Sequence, residues 1–284
     1  MTSTMHDRST IRVGDAPARG VARFAADTVR RFRGADGTSH TRALGYQTLL
    51  IVLPGFIGLV GLASMLDLPE VRRLVQHLVS SVSPGPSGKL LQEAARQGAS
   101  GGALAAVVGL GSAWIAGMFA VAQVERSANR FMALDEDRPT ARRYTVAALT
   151  AVPVGVLLAL GGLAIGSGDA ISNGFGLEGG AQTAWGIARW PLGLALGGAG
   201  LLLLLRVAPS RPIGATRHLV AGAAVSLVLW AAFTGLLSLY FSLSSSSSRT
   251  YGPLLAVVAL TVWAGLSSLA LHLGVATTVE LERS

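Results

Sequence analysis

The sequence has no cysteine and few charged residues. The absence of cysteine excludes disulfides and thiolate metal sites. Only 13% of the 284 residues are charged, whereas soluble domains usually have about 25%. Hydrophobic residues make up 51% of the chain, and the mean hydropathy is +0.53. This composition argues against a soluble domain and favours a chain that lies mostly within a membrane.

Sequence patterns of catalysis and metal binding are also missing. No two of the five histidines have a spacing such as HExxH, and there is no GxxxxGK[ST] that would indicate an ATP-driven pump. The one acidic cluster is Asp135-Glu136-Asp137, between Arg130 and Arg138, and we interpret it as a solvated loop. No Asp, Glu or Lys lies in the middle of an apolar run, which argues against proton coupling. We therefore predict no catalytic residue, no metal, no cofactor and no enzymatic activity.

Long apolar runs are what the sequence does contain. A helix needs about 20 mostly apolar residues to cross a bilayer. Six segments meet this length, at roughly 43–65, 99–124, 144–166, 186–207, 219–242 and 253–276. The serine run 244–248 could be a domain linker or a loop between two spans. Because neither side of it is a soluble domain, we interpret it as the loop between the last two spans.

Arginine distribution predicts the orientation of these spans. Eight arginines precede the first span, five follow the second and three follow the fourth, whereas the loops on the other side hold five basic residues together. Basic residues are retained on the cytoplasmic side. We therefore predict an all-α polytopic bundle with a basic cytoplasmic segment (1–42), a six-span domain (43–276) and a cytoplasmic tail (277–284).

Three further segments have the periodicity of amphipathic helices. In the first, 16–33, Val21, Phe24, Thr28 and Phe32 recur at helical spacing beside arginines, which predicts an interfacial helix. The second, 68–82, is predicted to lie on or dip into the outer surface, and the third, 123–139, to extend the second span into the cytoplasm.

Small residues and prolines interrupt the spans. Glycines that let helix backbones approach closely are predicted contact points: Gly55, Gly58, Gly61, Gly162, Gly166, Gly193 and Gly197. Pro54 and Pro153 lie inside spans, whereas Pro191 lies close to the start of its span and could be an N-terminal helix proline. Arg189 is expected to snorkel outward, and His272 is expected to be a polar anchor at a helix end.

Six stretches, in order, resemble the YihY/BrkB family of bacterial inner-membrane proteins, once labelled ribonuclease BN. They are ALGYQTLLIVLPGF (43–56), SANRFMALDEDRPTARRY (127–144), RWPL (189–192), LLLLRVAPSRP (202–212), VLWAAFTGLLSLYFS (228–242) and TYGPLLAVVALTVWAGLSSLALHLG (250–274). The resemblance implies a six-span bundle with a role in the cell envelope. It does not imply ribonuclease activity here, because no acid/base pair or metal ligand set is present.

Motif positions carried over from this family are candidate substrate-binding or gating residues. They are Pro54, Asn129, Arg143, Trp190, Pro191, Tyr240, Tyr251 and Gly252. The sequence departs from the family at Ala276, where a glutamate is expected, and at the serine run, which replaces an Asn- and Tyr-containing turn.

Two functional hypotheses follow. The first is a transporter or translocase of amphipathic or lipid envelope molecules, which the kinked, glycine-rich spans and the lack of buried charge favour. The alternative is a non-transporting scaffold that organises envelope proteins. Expected partners are membrane lipids, with anionic headgroups at the cytoplasmic face. Whether the protein also forms a homo-oligomer or binds an envelope protein is left open. Nucleic acid is not expected, because the arginines are spread over several membrane-proximal loops. The expected location is the inner membrane of a bacterium, with both termini in the cytoplasm.

Overall fold

The structure is a computed structural model that describes residues 16–67, 87–134, 137–166, 172, 177–243 and 248–283. Within these residues it is all-helical, as predicted. Its helices are α1 (Ala16–Gly34), α2 (Gly37–Met65), α3 (Ser87–Phe131), α4 (Thr140–Gly166), α5 (Gly180–Val207), α6 (Thr216–Leu243) and α7 (Ser248–Arg283). The amphipathic segment predicted at 68–82 lies outside the described residues.

Helices α2 to α7 each contain a segment long and apolar enough to cross a membrane. This confirms the six spans. The helices are longer than the predicted apolar runs, because polar residues at their ends continue the helical hydrogen bonding. The clearest case is α7, which continues to Arg283 although its apolar run was predicted to end at 276. Large apolar side chains such as Leu104, Val107 and Leu149 are mostly exposed, as expected for a surface that contacts lipid.

The six spans form a ring in which helices adjacent in sequence are adjacent in space. Helix α7 closes the ring by packing against α2 as well as α6. It also packs against α3 and α1, and its apolar segment is the most buried of the six. Residues on α7 are therefore the ones most surrounded by other helices.

Glycines bring α2 and α3 into backbone contact. A Cβ atom on Gly58 would lie 2.5 Å from the backbone nitrogen of Leu110, and one on Gly61 would lie 2.6 Å from that of Ala106. The predicted contact role of the α2 glycines is confirmed at these two positions. Helix α3 also breaks at Gly102, whose φ of 49° is readily adopted only by glycine.

A second glycine contact joins α4 and α5. A Cβ atom on Gly161 would lie 2.8 Å from the carbonyl oxygen of Gly193 and 2.9 Å from the nitrogen of Gly197. Gly193 and Gly197 thus form the close contact predicted for them. On α4 this contact is made by Gly161, which was not predicted, and the predicted contact roles of Gly162 and Gly166 stay predictions.

The contact between α6 and α7 was not predicted. Gly222 and Ser226 on α6 face Gly274 and Thr278 on α7, so each helix presents two small residues four positions apart. A Cβ atom on Gly222 would lie 2.6 Å from the carbonyl oxygen of Gly274. Ser226 and Thr278 donate their hydroxyls to carbonyls one turn back in their own helices. Neither hydroxyl is left unpaired at this contact.

The three prolines lie inside helices. Pro54 is in α2, Pro153 in α4 and Pro191 in α5. Because α5 begins at Gly180, the interpretation of Pro191 as an N-terminal helix proline is wrong.

Helix α1 forms over nearly the predicted residues, and it packs on the bundle. Two members of its predicted apolar stripe, Thr28 and Phe32, are buried. The ring of Phe32 lies 6.2 Å from that of Phe131 on α3. Part of the stripe expected to face lipid headgroups therefore packs against protein.

Candidate functional site at the basic end of the bundle

We call the end of the bundle that carries α1 and the last turn of α7 the basic end. The segments between α3 and α4 and between α5 and α6 also lie there. Its most unusual residue is Glu125, which is on α3 about two turns before the helix ends and is only 1% exposed. A buried carboxylate is costly unless it is paired. The expectation that the bundle lacks buried charge is therefore wrong at this position.

Three side chains surround the Glu125 carboxylate. Arg138 Nη1 donates to Oε2 at 3.3 Å, and Ser210 Oγ donates to Oε1 at 3.1 Å. Arg143 Nε lies 3.5 Å from Oε1 as an ion pair without hydrogen-bond geometry. These partners come from the segment after α3, from α4 and from the segment after α5. One carboxylate thus joins three parts of the chain.

Asn129, one turn after Glu125, extends the connection to Ser210. Its Nδ2 donates to Ser210 Oγ at 2.8 Å and to Asp137 Oδ1 at 2.7 Å. Its Oδ1 accepts from the backbone nitrogen of Ser210 at 3.0 Å. Asp137 also forms an ion pair with Arg143 Nη2 at 2.8 Å. Asp137 is nevertheless exposed, as the interpretation of a solvated loop requires, while residues 135 and 136 lie outside the described residues.

Arg138 caps the end of α5. Its guanidinium donates to the carbonyl oxygens of Val207, Ala208 and Pro209 at distances from 2.6 to 3.2 Å. The last carbonyls of a helix lack intrahelical partners and carry partial negative charge, so a cation there is stabilising. This arginine therefore links the α5 terminus to the buried carboxylate on α3.

We name these six residues the Glu125 cluster: Glu125, Asn129, Asp137, Arg138, Arg143 and Ser210. Its two carboxylates and two guanidinium groups balance in charge. Each carboxylate is paired with at least one arginine, so neither is positioned to take a proton from a substrate. The described part of the chain contains no group of three or more His, Cys, Asp or Glu that could hold a metal ion. The arrangement can hold helix ends together, but it lacks the features of a hydrolytic site.

A second set of contacts fastens α1 to the same end. Arg31 Nε lies 2.6 Å from Glu280 Oε2 on α7, and Arg31 Nη1 donates to the carbonyl oxygen of Phe131 at 3.1 Å. Arg283, near the end of α7, donates to the carbonyl oxygen of Met132 at 2.8 Å. We call the Arg31–Glu280 pair the α1 latch. It ties α1 to the ends of α3 and α7.

Beneath the latch, two histidines stack. The rings of His40 on α2 and His272 on α7 are 6.3 Å apart and nearly parallel, and Phe131 lies edge-on to both. Gln123 Nε2 lies 2.8 Å from His40 Nδ1. His272 is fully buried about three turns before α7 ends. The expectation that it is a lone polar anchor at a helix end is therefore wrong.

Four buried polar atoms on α2 and α7 have no hydrogen-bond partner among the described residues. They are Thr41 Oγ1, Gln47 Oε1, Ser267 Oγ and His272 Nε2. The two helices meet at Thr41 and His272, whereas Gln47 lies on the row of α2 that packs against α3, and Ser267 on the row of α7 that packs against α6. Ser268 Oγ donates to the carbonyl oxygen of Thr41 at 2.8 Å, and a Cβ atom on Gly45 would lie 3.1 Å from Gly265 Cα. We call this contact the α2–α7 seam.

Of the motif residues whose surroundings the structure describes, Asn129 and Arg143 come together in the Glu125 cluster. Pro54 lies at the α2–α3 contact, where its carbonyl oxygen would be 2.6 Å from a Cβ atom on Gly109.

The other predicted residues lie elsewhere. Trp190 is 52% exposed, and Pro191 beside it is also exposed, in the half of α5 away from the basic end. Tyr240 is 62% exposed near the end of α6. Tyr251 and Gly252 belong to the first turns of α7. Ala276, at the position where a glutamate was expected, is fully buried. The neighbouring carboxylate, Glu280, lies one turn later and forms the latch with Arg31.

Sequence reasoning missed Glu125, Ser210 and the pairing of His40 with His272. Glu125 and Asn129 are four residues apart and therefore share a helix face, which was a signal. Ser210 gave no comparable signal, because its hydrogen bond to Glu125 joins residues 85 apart in sequence.

These features define a multi-pass membrane protein with a polar network at one end of six spans. The chain belongs to the virulence factor BrkB family, whose model matches residues 28–284. It is also similar to the ribonuclease-like protein YfkH of Bacillus subtilis (strain 168), with 26% identity over 265 residues that cover 88% of this chain and 92% of YfkH. No solved structure matches the chain. The family predicted from the motifs is confirmed.

Proposed function

We propose that this protein is a translocase for amphipathic envelope molecules such as lipids, and that their polar groups pass along the α2–α7 seam. We further propose that it lies in the bacterial inner membrane with its basic end, and so both termini, in the cytoplasm. The arginine distribution supports this orientation.

The observation that carries the proposal is the set of unpartnered polar atoms in the seam. A buried polar atom without a partner costs about 1–3 kcal/mol. Thr41 and His272 contribute two such atoms to the seam. A state in which the seam opens and these atoms bond to a polar headgroup would recover that energy. Ligand binding would thus favour the open state, as population shift requires.

We interpret the contacts at the basic end as a closed gate, and this interpretation is consistent with the proposal. The α1 latch and the Glu125 cluster join the ends of α1, α3, α4, α5 and α7 by ion pairs and hydrogen bonds. Opening toward this side would need some of these contacts to exchange partners. A network of charge-assisted contacts can do this without a large net cost, provided that new partners replace the old ones.

We also propose that the protein is not an enzyme. The name of YfkH describes that protein as ribonuclease-like, but the buried carboxylate of this chain is already paired with arginines. RNA hydrolysis needs a free acid/base pair or a metal-held water.

Exposed arginines on α1 support anionic lipid headgroups as partners at the basic end. Arg23, Arg30 and Arg33 are exposed, whereas Arg31 in the same helix turns inward to form the latch. Basic residues near a membrane surface attract anionic lipids by about 1 kcal/mol each.

The test is lipid movement in proteoliposomes. Purified protein is reconstituted, and a headgroup-labelled fluorescent lipid is followed by its accessibility to an added reductant. Accessibility well above that of protein-free vesicles and of vesicles with an unrelated membrane protein is expected. If no headgroup type crosses faster than in these controls, the proposal fails and the scaffold alternative is favoured. That alternative then predicts a stable protein partner in mild detergent.

A matched pair of variants connects this movement to the seam. Thr41→Val removes an unpartnered hydroxyl and keeps the side-chain shape. Thr48→Val makes the same change in the same helix, but it removes a hydroxyl that already donates to the carbonyl oxygen of Leu44. We expect Thr41→Val to slow lipid movement at least severalfold, and Thr48→Val to leave it close to wild type.

A further inference from the structure

A second polar feature lies on α5, away from the basic end. Trp185 Nε1 and Arg189 Nε are buried N–H groups without a hydrogen-bond partner among the described residues. Both side chains are otherwise partly accessible. Arg189 also forms no ion pair within the described chain, and its guanidinium stacks over the ring of Trp190 at 5.8 Å. The prediction that Arg189 snorkels outward stays a prediction.

These two donors share one face of the helix. Residues four positions apart lie above one another on an α-helix, so Trp185 and Arg189 continue the row formed by Gly193 and Gly197. That row is the one that packs against α4, where a Cβ atom on Gly193 would lie 2.8 Å from the carbonyl oxygen of Gly161. The donors therefore lie just beyond the α4–α5 contact, one or two turns nearer the opposite end of the bundle.

The chemistry of this pair selects an anion. An indole N–H and a guanidinium offer only donors, and the guanidinium always carries positive charge. Arginine recognises phosphate and carboxylate oxygens with two parallel N–H bonds, and an indole N–H is enriched where one side of a site is apolar and the other wet. The neighbouring lipid-facing surface is apolar, since Ile187 and Trp190 are both exposed.

We infer that Trp185 and Arg189 form a binding site for the phosphate group of a membrane lipid. The phosphate would accept from both donors, while the acyl chains lie along the apolar side chains of α5. The inference extends the proposed function by naming the headgroup class that is held at the end opposite the basic end. It rests on the proposed function only in assigning the phosphate site to the outer leaflet, because the proposed orientation places this end outside.

Binding in detergent tests the site without any transport. We would titrate the full-length protein with dioleoylphosphatidylglycerol, with dioleoylglycerol, which has the same chains and no phosphate, and with inorganic phosphate. Thermal stabilisation gives an apparent Kd. The phospholipid is expected to stabilise the wild-type protein and dioleoylglycerol is not. Stabilisation by inorganic phosphate alone, if it depends on Arg189, would keep the phosphate site and identify free phosphate as its source.

Variants assign the effect to the site. Arg189→Gln is expected to raise the apparent Kd about tenfold, the usual effect of losing a charge-assisted pair. Trp185→Phe, which keeps a ring and loses the N–H, is expected to raise it severalfold. The control is Arg206→Gln, which removes an exposed arginine at the other end of the same helix and should leave this affinity within twofold of wild type.

The inference is overturned if Arg189→Gln and Trp185→Phe bind the phospholipid as tightly as wild type, or if dioleoylglycerol stabilises as well as the phospholipid. If Arg189→Gln does not fold, Trp185→Phe decides alone. The result is separate from that of the flux assay. A protein that binds at Arg189 but moves no lipid contradicts only the translocase proposal, and a protein that moves lipid without Arg189-dependent binding contradicts only this site.

Discussion

Glu125 on α3 and Arg138, thirteen residues later, form a buried ion pair of 3.3 Å, and the same guanidinium caps the carbonyls at the end of α5. The pair joins two spans that are not neighbours in the ring. Breaking it leaves a charged group that is mostly shielded from water. The first prediction follows from this relationship.

Glu125→Gln should destabilise the bundle strongly. The variant leaves Arg138 and Arg143 without their shared carboxylate, and removing one partner of a buried ion pair costs about 3–5 kcal/mol. The expected result is a clearly lower midpoint of thermal unfolding in detergent. Glu178→Gln is the control, because Glu178 is exposed and lies away from the cluster. Equal midpoints for the two variants would contradict the assigned role of Glu125.

The α1 latch predicts a local effect. Arg31→Gln removes the bond to Glu280 and the one to the carbonyl oxygen of Phe131. Because both side chains of the ion pair are partly exposed, the loss in the free energy of unfolding should be modest, about 1 kcal/mol. Helix α1 should nevertheless loosen and be cut faster by trypsin.

The neighbouring Arg30→Gln is the control for the latch, since Arg30 is exposed and pairs only with Asp27 in its own helix. Trypsin should cut this variant at the wild-type rate. If trypsin cuts Arg31→Gln no faster than Arg30→Gln, the latch does not hold α1.

Two glycines on α6 should respond to substitution with opposite signs. Gly222→Leu places a side chain against the backbone of Gly274 and should lower stability by at least about 1–3 kcal/mol. Gly235→Ala adds a methyl group in open space, so its higher helix propensity should raise stability by up to about 1 kcal/mol. Unfolding midpoints in detergent check both. A tolerated Gly222→Leu would mean that α6 and α7 are not in backbone contact.

Removing an unpartnered polar atom from α7 should stabilise the protein. Ser267→Ala removes a hydroxyl that has no partner among the described residues, and the burial cost of that group is removed with it. We expect a higher unfolding midpoint. Ser226→Ala is the contrasting change, because the hydroxyl of Ser226 is bonded to the carbonyl oxygen of Gly222. If Ser267→Ala unfolds at a lower temperature than wild type, Ser267 is not an unsatisfied group.

The class of fold was predictable from sequence, because each span carries its own signal in about 20 apolar residues. Contacts between spans were harder to predict from sequence. Gly193 and Gly197 were identified by their spacing, but their partner Gly161 was not, since spacing alone does not fix which helix faces a glycine. The small residues Gly222 and Gly274 were missed for the same reason.

The polar sites were the hardest to predict. Glu125 lies at the edge of an apolar run, where hydropathy cannot separate a buried carboxylate from a solvated one. Ser210 and the pair formed by His40 and His272 make contacts between residues far apart in sequence. A local sequence pattern does not predict such contacts. Family motifs identified Asn129 and Arg143, because these two residues belong both to the motifs and to the polar network.

If polar groups cross the membrane along the α2–α7 seam, a cross-link between the two helices should stop them. Because the natural chain has no cysteine, Thr41→Cys combined with Ser268→Cys supplies a single thiol pair. The two positions are adjacent, since Ser268 Oγ lies 2.8 Å from the carbonyl oxygen of Thr41. Lipid movement is measured in one proteoliposome preparation before cross-linking, after it, and after reduction. The proposal predicts movement that stops on cross-linking and returns on reduction. Movement that continues unchanged with the seam locked would contradict it.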